Sequence, residues 1–182
     1  MSSVVVRIPS ERIGVLIGKS GETKELIEKR TGVKLMIDSE EGDVEIDHSH
    51  ASDPSMAIVV SNIVTAIGRG FSPSKAIKLL ENDCYLEVLD IRDYVGKKIE
   101  HVERMRARVI GTHGKTREIF EELTGADVSI YGNTVAIIGS SFQLDIAKRG
   151  MDMLLSGSEH AAVYHFLEAK RAKLKVDGMG FD

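Results

Sequence analysis

Apolar and polar positions along the chain fall into short runs whose period changes repeatedly. Val4-Val5-Val6-Arg7-Ile8 is short and β-branched, which predicts a strand. Pro9-Ser10-Glu11 predicts the opening of a brief helix that runs through Leu16, with Ser10 as its N-cap. Gly18-Lys19-Ser20-Gly21 interrupts it. Residues 22–31 predict a second helix, with Leu26 and Ile27 inward among charged neighbours and Gly32 ending it in a left-handed conformation. Val33, Leu35 and Ile37 alternate with Lys34, Met36 and Asp38, a strand. Gly42-Asp43 turns into the strand Val44-Glu45-Ile46. A helix over 54–67 is expected to bury Met56, Ile58, Val59, Val60, Ile63, Val64 and Ile67. The order is β-α-α-β-β-α.

The same order returns farther along. Shifting the chain by 93 residues lays Ile17, Gly18, Gly21, Thr23, Glu25, Glu28, Thr31, Gly32 and Ile37 on identical residues at 110, 111, 114, 116, 118, 121, 124, 125 and 130. Those nine identities lie within 21 aligned positions, where ordinary residue frequencies would give about one or two. The following strand aligns with a shift of 91, so the second copy has the shorter loop. A repeat this long, present twice, is a duplicated small domain rather than a solenoid. The second copy is expected as a strand over 85–91, a helix over 97–109, the loop Gly111-Thr112-His113-Gly114, a helix over 115–124, strands over 127–131 and 134–138, and a helix over 141–155. This divides the chain into a first domain (1–69), a linker with a short helix (70–83), a second domain (84–156) and a C-terminal segment (157–182). That segment carries a helix over about 159–174, and residues 176–182 are expected to fray.

Composition narrows the class. The 182 residues include 24 Lys+Arg and 28 Asp+Glu, for a net charge of −4, and 42% are apolar, which argues against wholesale disorder. No apolar stretch reaches the ~20 residues that span a bilayer; the longest, 56–67, is broken by Ser61 and Asn62. The N-terminus, with Arg7 and Pro9 behind three valines, does not read as a signal peptide. The single cysteine, Cys84, has no internal disulfide partner, which fits a reducing, cytoplasmic setting. Mild acidity excludes a uniformly basic, histone-like protein but not a local basic patch. Residues 97–117 hold such a patch: seven basic residues against two acidic, a net +5.

The glycine loops carry the candidate chemistry. Each stands where a second helix begins, and a helix N-terminus offers unpaired N–H groups and a positive dipole end to an anion. Glycine leaves room for close backbone approach. With an apolar residue before each loop and an apolar strand beside it, the result is a narrow groove suited to an extended single strand with splayed bases. A phosphate-binding P-loop is disfavoured, because Ile13 stands where the first glycine of that motif is required. Asp47, His48, His50 and Asp53 lack metal-site spacing and read as a solvated loop, so no metal or other cofactor is expected. No paired carboxylates, Ser/His/Asp set or reactive-cysteine context argues for catalysis. Nine Phe+Tyr and no Trp disfavour an aromatic stacking platform.

Val15-Leu16-Ile17-Gly18-Lys19-Ser20-Gly21 followed by Thr31-Gly32-Val33-Lys34-Leu35-Met36-Ile37 resembles the KH-domain signature. Val109 to Ile119 followed by Thr124-Gly125-Ala126-Asp127-Val128-Ser129-Ile130 resembles it equally. The element order is that of the eukaryotic-type (type I) KH fold. The resemblance therefore implies an α+β protein of two tandem KH domains, each a three-stranded sheet with three helices, plus an extra C-terminal helix. Gly70 to Ala76, Leu79-Leu80 and His101–Arg108 resemble in particular the archaeal relatives of the partner-of-Nob ribosome-assembly factors. That resemblance implies a non-enzymatic factor that binds single-stranded small-subunit ribosomal RNA near its 3′ end. It places RNA contacts in the second domain on Arg108, Ile110, Gly111, Thr112, His113, Gly114, Lys115, Arg117, Ser129 and Ile130. In the first domain the contacts are Gly18, Lys19, Ser20, Gly21, Lys24 and Lys34. Glu22 stands beside the first loop where Lys115 stands beside the second, so the second domain is expected to be the principal site. The competing reading is a scaffold whose KH groove docks a Nob-type endonuclease or a translation initiation factor subunit.

Overall fold

The computed structural model describes residues 2–176, and packing divides the chain into two compact units between Asn82 and Asp83. The first unit runs β1 (Ser3–Arg7), a 3-10 turn (Ser10–Arg12), α1 (Ile13–Ile17), α2 (Glu22–Thr31), β2 (Lys34–Ile37), β3 (Asp43–Asp47) and α3 (Met56–Gly68). A short α4 (Pro73–Ala76) and a 3-10 turn (Ile77–Leu80) follow, and Phe71, Ala76 and Leu79 are buried. The second unit runs β4 (Tyr85–Asp90), α5 (Arg92–Val95), α6 (Ile99–Ile110), α7 (Lys115–Thr124), β5 (Asp127–Tyr131), β6 (Thr134–Gly139), α8 (Ser141–Leu155) and α9 (His160–Val176). The fraying expected for the tail lies, from residue 177 on, outside the described residues.

Both sheets are antiparallel, with the last strand in sequence at the centre: β1-β3-β2 and β4-β6-β5. Period-2 alternation splits each strand between two faces. In the first unit Leu35, Val44 and Ile46 meet Leu16, Ile27, Val60, Ile63 and Ile67 in the core. Val5, Glu45 and Met36 lie side by side across the other face, where Val5 and Met36 are exposed. In the second unit Val128, Val135 and Ile137 pack with Phe120, Ile146, Met151 and Leu154. Val163 and Leu167 of α9 are fully buried in the same cluster, so α9 is part of this core.

Three local expectations fail for identifiable reasons. Ser10 is not an N-cap: Pro9, with φ fixed at −56°, holds that position, and Ser10 is the first residue of the 3-10 turn without a side-chain cap. Leu26 is 45% exposed, since each helical step turns 100° and Ile27 takes the inward direction. Ile58 is 68% exposed, because the buried stripe of α3 (Ala57, Val60, Val64, Ile67) lies on the other side of that helix.

The residues repeated at 93-position spacing do the same structural work twice. Thr31 and Thr124 each donate to the carbonyl four residues back, Ile27 and Phe120, both at 2.6 Å. Each also accepts the backbone N–H two residues on, from Val33 and Ala126. The Glu28 carboxylate accepts the Leu35 N–H at 3.0 Å, and that of Glu121 accepts the Val128 N–H at 3.0 Å. Gly32 and Gly125 end their helices with φ of 72° and 76°. These contacts satisfy backbone groups that burial would otherwise leave unpaired. Thr124→Val, which keeps the side-chain shape, should therefore destabilise the second unit by about 1–3 kcal/mol in urea unfolding. A change below ~0.5 kcal/mol would show that the hydroxyl is dispensable.

Candidate nucleic-acid interface

The two Gly-x-x-Gly loops share one backbone path. Gly18 has φ/ψ 77°/174° and Gly111 77°/169°. Ser20 (53°/28°) matches His113 (55°/30°), and Gly21 (77°/11°) matches Gly114 (74°/14°). The N–H of the second glycine donates to the carbonyl of the first at 3.2 and 3.1 Å, closing the turn. Lys19, Ser20, Thr112 and His113 are exposed on it. Holding Ser20 and His113 in the left-handed region costs about 1 kcal/mol each, offset by the packing around the turn.

The glycines within a loop are required for different reasons. A Cβ on Gly18 would come within 2.4 Å of Thr23 Oγ1, and one on Gly111 within 2.3 Å of Thr116 Oγ1 and 2.7 Å of its backbone nitrogen. A Cβ on Gly21 or Gly114 would meet nothing within 4 Å, so only their positive φ favours glycine.

In the second unit the loop sits between the C-terminus of α6 and the N-terminus of α7. Ile110, which precedes the loop, and Ile130 of β5 are half-buried, Ile130 against the core. Lys97, Lys98, Arg104, Arg106 and Lys115 are exposed and Arg117 half-exposed, and among the described residues none of the six enters a salt bridge. Lys24 is half-buried in α2, and Lys34 is exposed on β2. Ser129 and Lys34 lie on the sheet face away from the helices, where Ser129 stands opposite Ala136 and Lys34 opposite Asp47. Ser129 and Ile130 thus flank the β5 edge from its two sides.

Arg108 is half-buried near the end of α6. Its guanidinium donates to the Leu154 carbonyl at 2.7 Å and to the Ser158 carbonyl, tying α6 to the end of α8. Arg12 does the same in the first unit, donating to the carbonyls of Ile67 (2.8 Å) and Phe71 (2.9 Å) at the end of α3. In both units an arginine beside the first helix bonds two carbonyls four residues apart where the third helix stops. The two arginines are not at equivalent positions of the repeat, so aligning the copies does not reveal the device.

The first unit differs in charge. The connection from β2 to β3 carries Asp38, Glu40 and Glu41, and Asp43, Glu45 and Asp47 continue the acid along β3. Arg7 donates from Nε to the Asp43 carboxylate at 2.7 Å, and this bond holds the carboxyl below its ordinary pKa. Asp47 and Asp53 are likewise held low by hydrogen bonds from Ser49 and Ser55. Both carboxylates are thus engaged in local turns, and the described residues form no cluster suited to a metal ion.

The loop geometry sets a direct expectation. Gly114→Ala should cost the second unit about 1 kcal/mol, from positive φ alone. Gly111→Ala adds the clash with Thr116 and should cost about 2–4 kcal/mol. Denaturant midpoints of the two variants give the ordering, and equal losses would contradict it.

Comparisons with known proteins agree with this geometry. A eukaryotic-type (type I) KH-domain model matches residues 85–172, and a KH-domain model matches residues 3–70. A KH domain-containing protein of Methanocaldococcus jannaschii is 48% identical over 172 residues, 94% of this chain and 75% of the relative. The pre-rRNA-processing protein PNO1 of Kluyveromyces lactis is 24% identical over 144 residues, 79% of this chain; the chain spans 53% of that relative's length. Among solved structures, Dim2p of Pyrococcus horikoshii is 47% identical with a TM-score of 0.85, covering 93% of this chain and 99% of that one. The complex of a/eIF2alpha, aDim2p and rRNA from the same organism matches at 47% identity and a TM-score of 0.87, covering 94% of this chain and 95% of that one. With two type I modules in tandem and an intact Gly-x-x-Gly turn in each, the chain belongs to the KH-domain family, as a relative of archaeal Dim2p and of the eukaryotic pre-rRNA-processing protein PNO1.

Proposed function

We propose that this chain binds single-stranded RNA as a non-enzymatic ribosome-assembly factor, with the second KH module as its principal site. The observation that carries this reading is the second loop itself. An open Gly111–Gly114 turn heads α7, with Lys115 and Arg117 in the first turn of that helix and, among the described residues, neither of them in a salt bridge. The backbone at Thr112 and His113 takes a phosphate, and Lys115 and Arg117 take its neighbours. Ile110 and Ile130 form the floor for splayed bases, and the β5 edge with Ser129 forms the far wall. Arg108 holds the α6–α8 framework behind this groove. Gly18, Lys19, Ser20, Gly21, Lys24 and Lys34 form a weaker second site.

The named activities of the relatives support a ribosomal RNA target, and within it the proposal takes the small-subunit RNA near its 3′ end. PNO1 carries pre-rRNA processing in its name, and aDim2p has been solved with rRNA. A cytoplasmic setting is part of the same proposal. Among the described residues no helix is long and apolar enough to cross a membrane.

One observation favours a second role for the first module. Its acidic β2–β3 connection and the exposed Val5 and Met36 suit a basic protein segment better than RNA. A translation initiation factor subunit or a Nob-type endonuclease would fit there, and aDim2p has been crystallised together with a/eIF2alpha.

Thr112→Asp with His113→Asp should abolish most RNA affinity while circular dichroism stays unchanged, because both side chains are exposed. The same change at Lys19 and Ser20 should cost less, since Glu22 and the acidic connection already weaken that site. Filter binding at fixed salt tests both; an equal or larger loss at the first loop would reverse the assignment. Three or four phosphate contacts predict a slope of log K against log salt of about −2 to −3, flattened by about 0.7 in Lys115→Ala. Duplex RNA competing as well as a single strand would show diffuse charge attraction instead of groove binding.

A further inference from the structure

The helix that the second unit has and the first lacks reaches the RNA loop. Tyr164 of α9 donates its hydroxyl to Thr116 Oγ1 at 3.0 Å. Thr116 Oγ1 is the atom that lies where a Cβ of Gly111 would be. One turn earlier on α9, His160 Nε2 is 2.9 Å from the Arg108 carbonyl. A carbonyl only accepts, so Nε2 carries the proton in this contact. His160 and Tyr164 are four residues apart on one stripe of α9, their rings edge to face at 6.0 Å. Val163 and Leu167 beside them are fully buried and hold the helix in place. Two polar contacts from α9 therefore grip the chain on either side of Gly111: one in the last turn of α6, the other in the first turn of α7.

The first unit provides the comparison. Thr23 occupies the same place over Gly18, at 2.4 Å from its would-be Cβ. It is half-exposed, whereas Thr116 is 3% exposed. Among the described residues no side chain from a later element bonds Thr23 Oγ1. Two loops of nearly identical dihedral angles thus differ in what fixes them.

We propose that α9 is a brace for the second Gly-x-x-Gly loop, with Tyr164 and His160 as positioning residues that keep the turn in its anion-ready geometry. The consequence for RNA affinity rests on the reading of the loop as an RNA clamp; the brace itself does not. A backbone clamp gains affinity when its donors are already ordered, because the ordering cost is not charged to the binding step. Neither side chain has to touch RNA for its loss to be felt.

Tyr164→Phe isolates the contact, since the ring and its packing remain and only the hydroxyl goes. In the full-length protein without RNA, amide hydrogen exchange should accelerate about three- to tenfold at Gly114 and Lys115, whose amides bond the Gly111 and Thr112 carbonyls, the effect of one lost hydrogen bond. The amides of Gly21 and Glu22 in the first loop should not change, and they serve as the internal reference. Single-stranded RNA should bind about three- to tenfold more weakly, with the salt slope unchanged because no phosphate contact is removed. Ile146→Ala, a core truncation, should lower the melting temperature without this selective effect on Gly114 and Lys115. Equal exchange in the two loops of Tyr164→Phe, or acceleration spread over the whole second unit, would overturn the brace. If the wild-type protein binds no single-stranded RNA, the RNA reading fails, while the exchange comparison still decides whether α9 holds the loop.

Discussion

The absence of a side chain at Gly18 and Gly111 is the constraint on which each module depends. A threonine hydroxyl lies where the missing Cβ would be, at 2.4 Å in one copy and 2.3 Å in the other. That overlap can exist only because the preceding helix is allowed to come down onto the first turn of the next. The close approach fixes the turn, and the turn aims the N-terminus of α2 or α7 outward with two exposed residues at its tip. The sheet and the third helix then build the core that holds both helices in place. The energy invested in the left-handed residues Ser20 and His113 comes from that core, not from the loop.

Most of this was legible in the sequence, because the identities between the copies fall on residues with fixed backbone duties. Gly32 and Gly125 stop helices, Thr31 and Thr124 close them, and Glu28 and Glu121 bond the strand that follows. Such duties recur at fixed spacing and survive a change of surroundings. What stayed hidden depends on packing between distant segments. Leu26 and Ile58 are as apolar as their buried neighbours, and only the direction of the core decides which of them faces water. Arg108 sits among six other basic residues and reads as one more phosphate ligand until the carbonyls of Leu154 and Ser158 are found in front of it. His160 and Tyr164 announce themselves only by their i,i+4 spacing, a pattern shared with any packed helix face.

The two modules show how one backbone can serve unlike surfaces. Their loops agree to about 5° in every dihedral compared, yet the groove neighbours differ in sign: Glu22 and an acidic β2–β3 connection in the first copy, Lys115 and an uncharged Gly132-Asn133 turn in the second. Charge on exposed positions costs the fold little, whereas the residues that pair buried backbone groups cannot change without loss. Duplication therefore leaves the frame fixed and the surface free to diverge. Function has to be argued from the surface of each copy, not from the fold they share.

The same separation explains why the extra helix belongs to only one copy. A turn made of glycines and left-handed residues is inherently loose, since glycine gives up the most conformational freedom on ordering. Where the surrounding charge is acidic, stiffening such a turn gains nothing for anion binding, because the potential already opposes it. Where the charge is basic, every donor ordered in advance adds directly to affinity. In the second unit α9 contributes two fully buried apolar residues to the core and two polar side chains that meet Arg108 and Thr116 on either side of the loop, so in the proposed brace the burial that stabilises the helix also orders the turn. Shape, charge and rigidity thus converge on the loop between Gly111 and Gly114, and the first loop shares only the shape.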